Sequence, residues 1–249
     1  VVGGSAGLFV LDAGAHRVLQ LPAGQKTPAA VATKGDKSGT NQLAEPKLIG
    51  AVDGNLLILD GNRNLWRYSP ERKALDQVGL KSSDIWKDAT ALAAYGPNAY
   101  ILDAGIGNVF RYASRDGQFT DAPSSVLQKD DPGLLGHGVS MAIDGSIWVL
   151  TSDAQIIKLA TSGRQRFDVT GLPQPIGKAS QISTDVDQRA LYVLDVANSR
   201  VVQIAKDGRY LRQFNLSLPA PASSFWPDEA AHQLYVLSGN TLYQYQVPA

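Results

Sequence analysis

The 249-residue chain is 44% hydrophobic and 18% charged, a composition that indicates a folded protein rather than a disordered one. Its 23 Lys and Arg residues balance its 23 Asp and Glu residues, so it lacks the basic excess of nucleic-acid-binding proteins, and we expect no nucleic-acid partner. It contains no cysteine, which excludes disulfides and thiolate metal sites.

One hairpin pattern recurs along the chain. It consists of an apolar run rich in β-branched and aromatic residues, a short polar turn and a second alternating run, as in residues 191–204, LYVLDVANSRVVQI. A further apolar strand precedes each copy, and a more polar strand follows all but the last. Six repeats of this kind predict an all-β fold, a six-bladed β-propeller with four-stranded antiparallel blades. The matching leucines are 43 to 48 residues apart, at Leu11, Leu59, Leu102, Leu150, Leu194 and Leu237.

The predicted blades form a single domain. The last predicted strand, residues 241–245, corresponds to the third strand of the other blades, so blade six is predicted to lack its outer strand and to leave a sheet edge open. Because the chain starts at Val1 within the repeat pattern, we expect it to be part of a longer protein. No apolar run approaches the length of a membrane span, so no membrane contact is expected in this segment, although the full-length protein could be membrane-anchored. The blades are predicted near residues 1–33, 46–78, 89–120, 138–169, 179–216 and 223–249.

In four copies the first hairpin strand ends in an aspartate. A short carboxylate at that place can accept hydrogen bonds from turn amides, and in two copies an arginine five residues further on can reach back to it. We interpret these residues as structural turn caps, not as a metal-binding cluster, because equivalent positions of radiating blades lie far apart. We expect Asp195→Ala to cost about 1–2 kcal/mol of stability, because turn donors lose their acceptor. The predicted caps are Asp12, Asp60, Asp103 and Asp195, with Arg17 and Arg200.

The hairpin resembles the NHL repeat. Asp195 with residues 198–201, Asn-Ser-Arg-Val, matches the repeat closely, and Asp12 with residues 15–18, Ala-His-Arg-Val, matches it except at one position. Blades four and six depart from it by carrying Thr and Ser in place of the aspartate. The resemblance implies a propeller similar to the sensor domains of bacterial receptor Ser/Thr kinases. Propellers of the NHL type also include protein- and RNA-binding modules, and a related group of propellers contains lyases and lactone hydrolases.

Alignment of the repeats predicts a ligand site at the mouth of the central channel. The residues aligned near the start of each first strand include one carboxylate and two lysines, a set that would hold a divalent cation poorly. We therefore expect no metal and no cofactor, and we predict that these residues bind a ligand; a solvated polar rim is the alternative. The predicted site residues are Lys47, Asp88, His137 and Lys178, with Ala222 aligned to them in blade six.

Two of the four tryptophans are predicted to be interaction anchors and the other two to pack inside their blades. Trp86 lies in a polar loop and Trp226 ends a first strand, and we predict that both are interaction anchors, with Trp86 exposed. Trp66 and Trp148 alternate with strand residues and are predicted to pack inside their blades.

Together these features predict a non-enzymatic sensor propeller that binds a small-molecule ligand or a protein and belongs to a larger bacterial signalling protein. The resemblance favours the extracytoplasmic side of a bacterial membrane over the cytoplasm. The alternative is a lactonase-like propeller hydrolase or lyase with its site in the central channel.

Overall fold

A computed structural model describes residues 1–52, 54–128, 131–160 and 163–247, so the last two residues of the sixth predicted blade lie outside the described part. Regular structure in these ranges is almost entirely β-strand. The exceptions are a turn of 3-10 helix at Ser83–Ile85 and a short α-helix, α1, at Pro132–Leu135. The strands form six antiparallel sheets and one small hairpin, and this confirms the predicted all-β, six-bladed β-propeller class.

The first three sheets each contain four strands. The first sheet comprises β1 (Val2–Gly4), β2 (Gly7–Asp12), β3 (Arg17–Leu21) and β4 (Ala29–Thr33). A small hairpin follows, made of β5 (Lys37–Ser38) and β6 (Asn41–Gln42). The second sheet comprises β7 (Pro46–Val52), β8 (Asn55–Asp60), β9 (Leu65–Ser69) and β10 (Ala74–Val78). The third comprises β11 (Ala89–Tyr95), β12 (Asn98–Asp103), β13 (Asn108–Tyr112) and β14 (Ser124–Ser125).

The fourth and fifth sheets have four strands and the sixth has three. In the described residues the sixth sheet therefore lacks an outer strand, as predicted. The fourth sheet comprises β15 (Gly138–Ile143), β16 (Ile147–Thr151), β17 (Ile156–Ala160) and β18 (Gly163–Gln165). The fifth comprises β19 (Ala179–Ser183), β20 (Ala190–Asp195), β21 (Arg200–Ala205) and β22 (Tyr210–Asn215). The sixth comprises β23 (Ala222–Asp228), β24 (Gln233–Ser238) and β25 (Thr241–Gln246).

The outer strand of the third sheet lies further along the chain than the sequence predicted. The third predicted blade ends at residue 120, but β14 lies at Ser124–Ser125. Phe119 instead forms a parallel bridge with Leu80, which follows the second sheet. A buried aromatic residue thus gains a cross-strand partner outside its own blade, and the chain reaches the outer position only afterwards.

Burial is greatest in the second strands, as in the second and fifth sheets, and is lower in the first and the outer strands of these sheets. All six residues of β20 are buried, as are five of the six in β8, whereas no residue of β22 is fully buried. A strand covered on both faces reads as a continuous apolar run, and an outer strand can alternate with polar residues. Trp66 and Trp148 are 0% and 1% exposed inside their sheets, which confirms their predicted packing role.

The turn between the second and third strands of every sheet passes through the left-handed region. This geometry matches the twist of a tight hairpin. Glycine, which tolerates positive φ without steric cost, fills the position in only two sheets. The residues and their φ angles are His16 (52°), Arg63 (64°), Gly107 (79°), Ala154 (67°), Ser199 (47°) and Gly239 (55°).

The chain divides into two compact units. The first contains residues 1–101 and 109–125, and the second contains residues 102–108 and 126–249. In the first unit, Phe9 and Val18 of the first sheet pack with Ile58 and Trp66 of the second. In the second unit, one core joins the fourth and fifth sheets and another joins the fifth and sixth. Among the described residues, no helix is long and apolar enough to cross a membrane.

Candidate functional site

Asp195 is the centre of a buried hydrogen-bond cluster at the end of β20. Its Oδ1 accepts the backbone N–H groups of Gly177 and Lys178, each at 3.2 Å. Its Oδ2 accepts Asn198 Nδ2 at 2.7 Å and Arg200 Nε at 2.9 Å. Asp195 is 0% exposed and Arg200 is 1% exposed. The carboxylate therefore joins the hairpin turn to the segment that leads into the first strand of the same sheet.

The other strand-end aspartates make related contacts with different burial. Asp60 is buried and accepts hydrogen bonds from the backbone of Ala44, Asn62 and Asn64 and from the Trp66 indole. Asp103, also buried, accepts the N–H of Ile106 at 3.1 Å. Asp12 accepts Arg17 Nε at 2.9 Å, but both side chains are substantially exposed. In blades four and six a hydroxyl takes this place: Thr151 Oγ1 bonds Gln155, and Ser238 Oγ donates to Ala220 O.

The pKa of Asp195 lies below its ordinary value. Burial alone would raise this pKa, but the hydrogen bonds from Asn198 and Arg200 and from the two backbone amides outweigh the effect of burial. The folded protein therefore holds Asp195 ionised under conditions where the unfolded chain begins to protonate it.

This sign leads to a pH prediction. Because the unfolded state binds the Asp195 proton first, the free energy of unfolding should fall as the pH is lowered from about 5 toward 3. Asp195→Asn removes the titrating group, so its free energy of unfolding should decline less steeply over the same range. Urea denaturation of both proteins at a series of pH values measures the two slopes, and equal slopes would contradict the assignment.

The strand register separates the residues that the sequence alignment placed at one level of the channel mouth. The carbonyls of Glu45, His137 and Lys178 accept the N–H groups that follow the strand-end residues, at 2.8, 2.8 and 2.9 Å, so these three positions are equivalent. Lys47 lies two residues further on, at a β-bulge between Pro46 and Leu48. The proposed equivalence of Lys47 with His137 and Lys178 is therefore wrong.

The strand register also separates Ala222 from His137 and Lys178. Ala222 pairs with Ser238, just before a bulge, and thus corresponds to Pro46, which pairs with Asp60. Lys47, His137 and Lys178 are exposed, and so is Asp88, which precedes β11. Lys47 Nζ contacts Glu45 Oε1 at 3.0 Å. Ligand binding by the four predicted channel-mouth residues stays a prediction.

Trp86 is not the exposed anchor that the sequence predicted. It is 3% exposed and packs edge-to-face on Tyr112, with ring centroids 5.8 Å apart. Ser82, in the left-handed region at φ 59°, starts the 3-10 turn that carries the tryptophan inward, and Ile85 takes the exposed place instead. Trp226 is partly buried in β23, where it pairs with Tyr235, and its role as an anchor stays a prediction.

A groove of about 550 Å³ between the fifth and sixth sheets is the strongest candidate site in the described part of the chain, and we call it the outer groove. Tyr192, Gln203 and Arg212 are cross-strand neighbours on β20, β21 and β22, so they share the face of the fifth sheet that borders it. The sixth sheet contributes Glu229, just after β23, and Val247, just after β25.

A chain of hydrogen bonds forms the floor of the outer groove. The Tyr192 hydroxyl donates to Glu229 Oε1 at 2.9 Å, and Gln203 Nε2 donates to that hydroxyl oxygen at 2.8 Å. The backbone N–H of Arg189 donates to Glu229 Oε2 at 2.8 Å. Burial and the adjacent Glu229 carboxylate raise the pKa of Tyr192 far above its ordinary value, so the phenol stays protonated and acts as a donor.

This chain determines the orientation of the Gln203 amide. Tyr192 has a single hydroxyl proton, and the Glu229 carboxylate accepts it, so Gln203 must present its NH₂ group to the phenol oxygen. Gln203 is 9% exposed, and its Oε1 has no hydrogen-bond partner among the described residues. A buried acceptor without a donor costs about 1–3 kcal/mol, so its presence in a groove requires an explanation.

The equivalent position in the first sheet shows what is missing. Gln20 pairs with Phe9 as Gln203 pairs with Tyr192, and its Oε1 accepts the hydroxyl of Tyr68 from the second sheet at 3.3 Å. The sixth-sheet equivalent of Tyr68 is Tyr245, whose hydroxyl instead donates to Ser217 O at 3.5 Å. The outer groove is thus open where a tyrosine closes the corresponding space between the first two sheets.

The outer groove was not predicted from the sequence. The only local signal for it is the glutamine shared by two copies of the third strand, RVLQL and RVVQI. Nothing in those letters indicates that one glutamine is paired with the next sheet and the other is not. Tyr192 and Gln203 meet across one hairpin, but Glu229 comes from the next sheet, 37 residues after Tyr192.

The free edge of the sixth sheet lies beside the outer groove. Within the described ranges no strand pairs with the outer side of β25, whose sequence TLYQYQ contains no charged residue and no proline. Charges and prolines are the usual protection of an exposed edge, so β25 can accept an added strand. The backbone N–H of Val247 donates to His232 O at 2.8 Å and ends the paired region where the groove begins.

A metal site finds no support in the arrangement of ligands. Across the residues that the structure describes, no group of three or more His, Asp or Glu side chains lies close enough together to hold a metal ion. Two carboxylates of the outer groove, Glu229 and Asp228, are already engaged with backbone or tyrosine donors.

No protein-family model and no curated protein sequence matches the chain. Among solved structures, it is similar to selenomethionine-substituted virginiamycin B lyase from Staphylococcus aureus, with a TM-score of 0.56 and 13% identity over 100% of this chain and 83% of that chain. It is also similar to a chain of a nidogen/laminin complex, with a TM-score of 0.56 and 10% identity over 80% of this chain and 72% of that one. A structural genomics protein of unknown function from Bacteroides thetaiotaomicron gives a TM-score of 0.54 and 14% identity over 92% and 66%. At these identities the likeness supports the propeller fold alone.

Proposed function

We propose that this propeller is a non-catalytic binding module whose ligand occupies the outer groove. The observation that carries the proposal concerns Gln203, which lines the groove and whose buried Oε1 has no hydrogen-bond partner among the described residues. A ligand that donates a hydrogen bond to this oxygen removes the cost of an unsatisfied buried acceptor. The volume of about 550 Å³ lies within the range of about 300–1,000 Å³ that is typical of small-molecule sites.

The chemistry of the lining supports binding over catalysis. Serine, threonine, cysteine and lysine are all absent from the described residues that line the groove. Tyr192 is held protonated, and both oxygens of Glu229 already accept hydrogen bonds from the protein. The described lining residues therefore offer no hydroxyl, thiol or amine nucleophile of the Ser, Thr, Cys or Lys kind, and Glu229 is not a free base.

The proposed biological setting rests on the resemblance of the hairpins to the NHL repeat. Asp195 and Arg200, with the turn between them, support an NHL-type repeat, and such a propeller would serve as a sensor in a larger bacterial signalling protein on the extracytoplasmic side. A partner protein could use the open edge of β25. The alternative is a hydrolase or lyase with its centre in the central channel. Only the likeness of the fold to other propellers supports it.

The binding proposal predicts a ligand effect that depends on Gln203. Thermal unfolding would be followed with D-glucose, myo-inositol, glycine, L-glutamate, citrate and triglycine as separate millimolar probes. We expect at least one probe to raise the Tm of the wild-type protein but not that of Gln203→Leu, because the leucine cannot accept a hydrogen bond.

Gln20→Leu is the matched control, because Gln20 holds the same repeat position in the first sheet and is paired with Tyr68. It should preserve the ligand-dependent rise in Tm. A rise that survives in Gln203→Leu, or no rise with any probe, would contradict binding in the outer groove.

A further inference from the structure

We propose that the outer groove takes a neutral, polyhydroxylated ligand, a saccharide or a polyol. This inference rests on the proposed binding function and specifies the class of ligand. It follows from the charge balance of the lining, from the donors and acceptors that the lining offers, and from the apolar side chains among the lining residues.

The charges around the groove nearly cancel. Asp187, Asp228 and Glu229 provide three carboxylates, and Arg189 and Arg212 provide two guanidinium groups. A strongly anionic ligand would meet the carboxylates, and a strongly cationic one would meet the guanidinium groups. In both cases the desolvation cost of the ligand charge would be poorly compensated. A neutral ligand avoids this cost.

The polar groups of the lining require a ligand that both donates and accepts. Gln203 Oε1 needs a donor, because its amide is held with the NH₂ group toward Tyr192. The exposed Arg189 side chain, which also lines the groove, offers only donors and can bind an acceptor. A hydroxyl group is one donor and two acceptor positions at once, so a molecule with several hydroxyls can bond both residues.

Apolar surface accompanies these polar groups. Leu211, which is 36% exposed, lies next to the bulge in β22 and lines the groove together with Val247. The C–H face of a sugar ring or cyclitol is apolar, whereas its edge carries hydroxyls. The groove lining offers both kinds of surface, with Leu211 and Val247 as apolar side chains and Gln203 and Arg189 as polar ones.

The test compares near-isosteric probes that differ in charge. D-glucose would be compared with the anion D-glucuronate and the cation D-glucosamine. Triglycine would serve as a peptide probe without net charge. Binding to the 249-residue chain would be measured by NMR titration that follows the Gln203 side-chain amide. We expect D-glucose to bind at least fivefold more tightly than either charged analogue and than triglycine.

Two variants locate the binding in the groove. Gln203→Leu should weaken D-glucose binding at least tenfold, and Leu211→Ser should weaken it about threefold. Gln20→Leu should leave it unchanged. If glucuronate, glucosamine or triglycine binds more tightly than glucose and loses affinity in Gln203→Leu, the ligand class is wrong and the binding function stands. If no probe binds, or if binding is unchanged in Gln203→Leu, both the ligand class and the proposed function are overturned.

Discussion

Asp195→Ala is expected to lower the free energy of unfolding by about 3–5 kcal/mol, the usual cost of removing one partner from a buried ion pair. The substitution leaves the Arg200 guanidinium, which is 1% exposed, without its carboxylate. It also removes the acceptor for the backbone N–H groups of Gly177 and Lys178. Arg200 keeps its bonds to Gln213 and to the carbonyls of residues 174 and 175, which limits the loss. Urea denaturation monitored by tryptophan fluorescence measures the change.

Asp12→Ala is the matched control because Asp12 holds the same position in the first sheet and also bonds an arginine. The Asp12 and Arg17 side chains are 29% and 42% exposed, and an exposed pair contributes about 1 kcal/mol or less. The structure thus raises the cost expected at Asp195 above the sequence-based figure of about 1–2 kcal/mol for turn donors alone. Similar losses in the two variants would show that burial of the pair is unimportant.

Gly107→Ala is expected to destabilise the protein by about 2–4 kcal/mol through left-handed strain and a backbone clash. Gly107 has φ 79°, and a Cβ there would lie 2.5 Å from Asp131 O and from the N and Cα atoms of Pro132. Those atoms belong to the backbone at the start of α1, so they cannot move aside as a flexible side chain would. Thermal and urea denaturation measure the loss.

Gly239→Ala separates the two contributions. Gly239 occupies the same turn position in the sixth sheet with φ 55°, and a Cβ there would meet no atom within 4 Å. Its substitution should cost only about 1 kcal/mol, the conformational part of the effect. If Gly107→Ala costs no more than Gly239→Ala, the segment at residues 131–132 does not hold the turn in place.

The strands and their grouping into blades could be predicted because they depend on local patterns. The second strands of the sheets, such as β8 and β20, are apolar on both faces, and each is followed by a polar turn at a nearly constant interval. The three-stranded sixth sheet followed from the same count. The start of a first strand is less visible in the sequence, because its distance from the strand-end residue varies. Pro46 pairs with Asp60, 14 residues further on, whereas Ala179 pairs with Asp195, 16 residues further on, and such a difference was enough to misalign the channel-mouth positions.

Single side chains proved harder to predict than strands. Trp86 looks exposed from its polar neighbours, but a left-handed residue at Ser82 turns it onto Tyr112. Asp195 and Asp12 look alike in sequence, and only their burial distinguishes a costly ion pair from a solvated one. In each case the outcome depends on neighbours brought by other segments of the chain.

The sequence by itself determined the all-β repeat, the six blades and the open edge of the last one, because alternating burial and tight turns are local properties of a strand and its neighbours. Only the tertiary structure decided where a ligand could bind. Gln20 and Gln203 occupy the same place in their repeats, yet Tyr68 satisfies the first and Tyr245 turns away from the second. The pairing of a buried amide depends on which side chain the neighbouring sheet supplies, and that contact joins residues more than 40 positions apart in the chain.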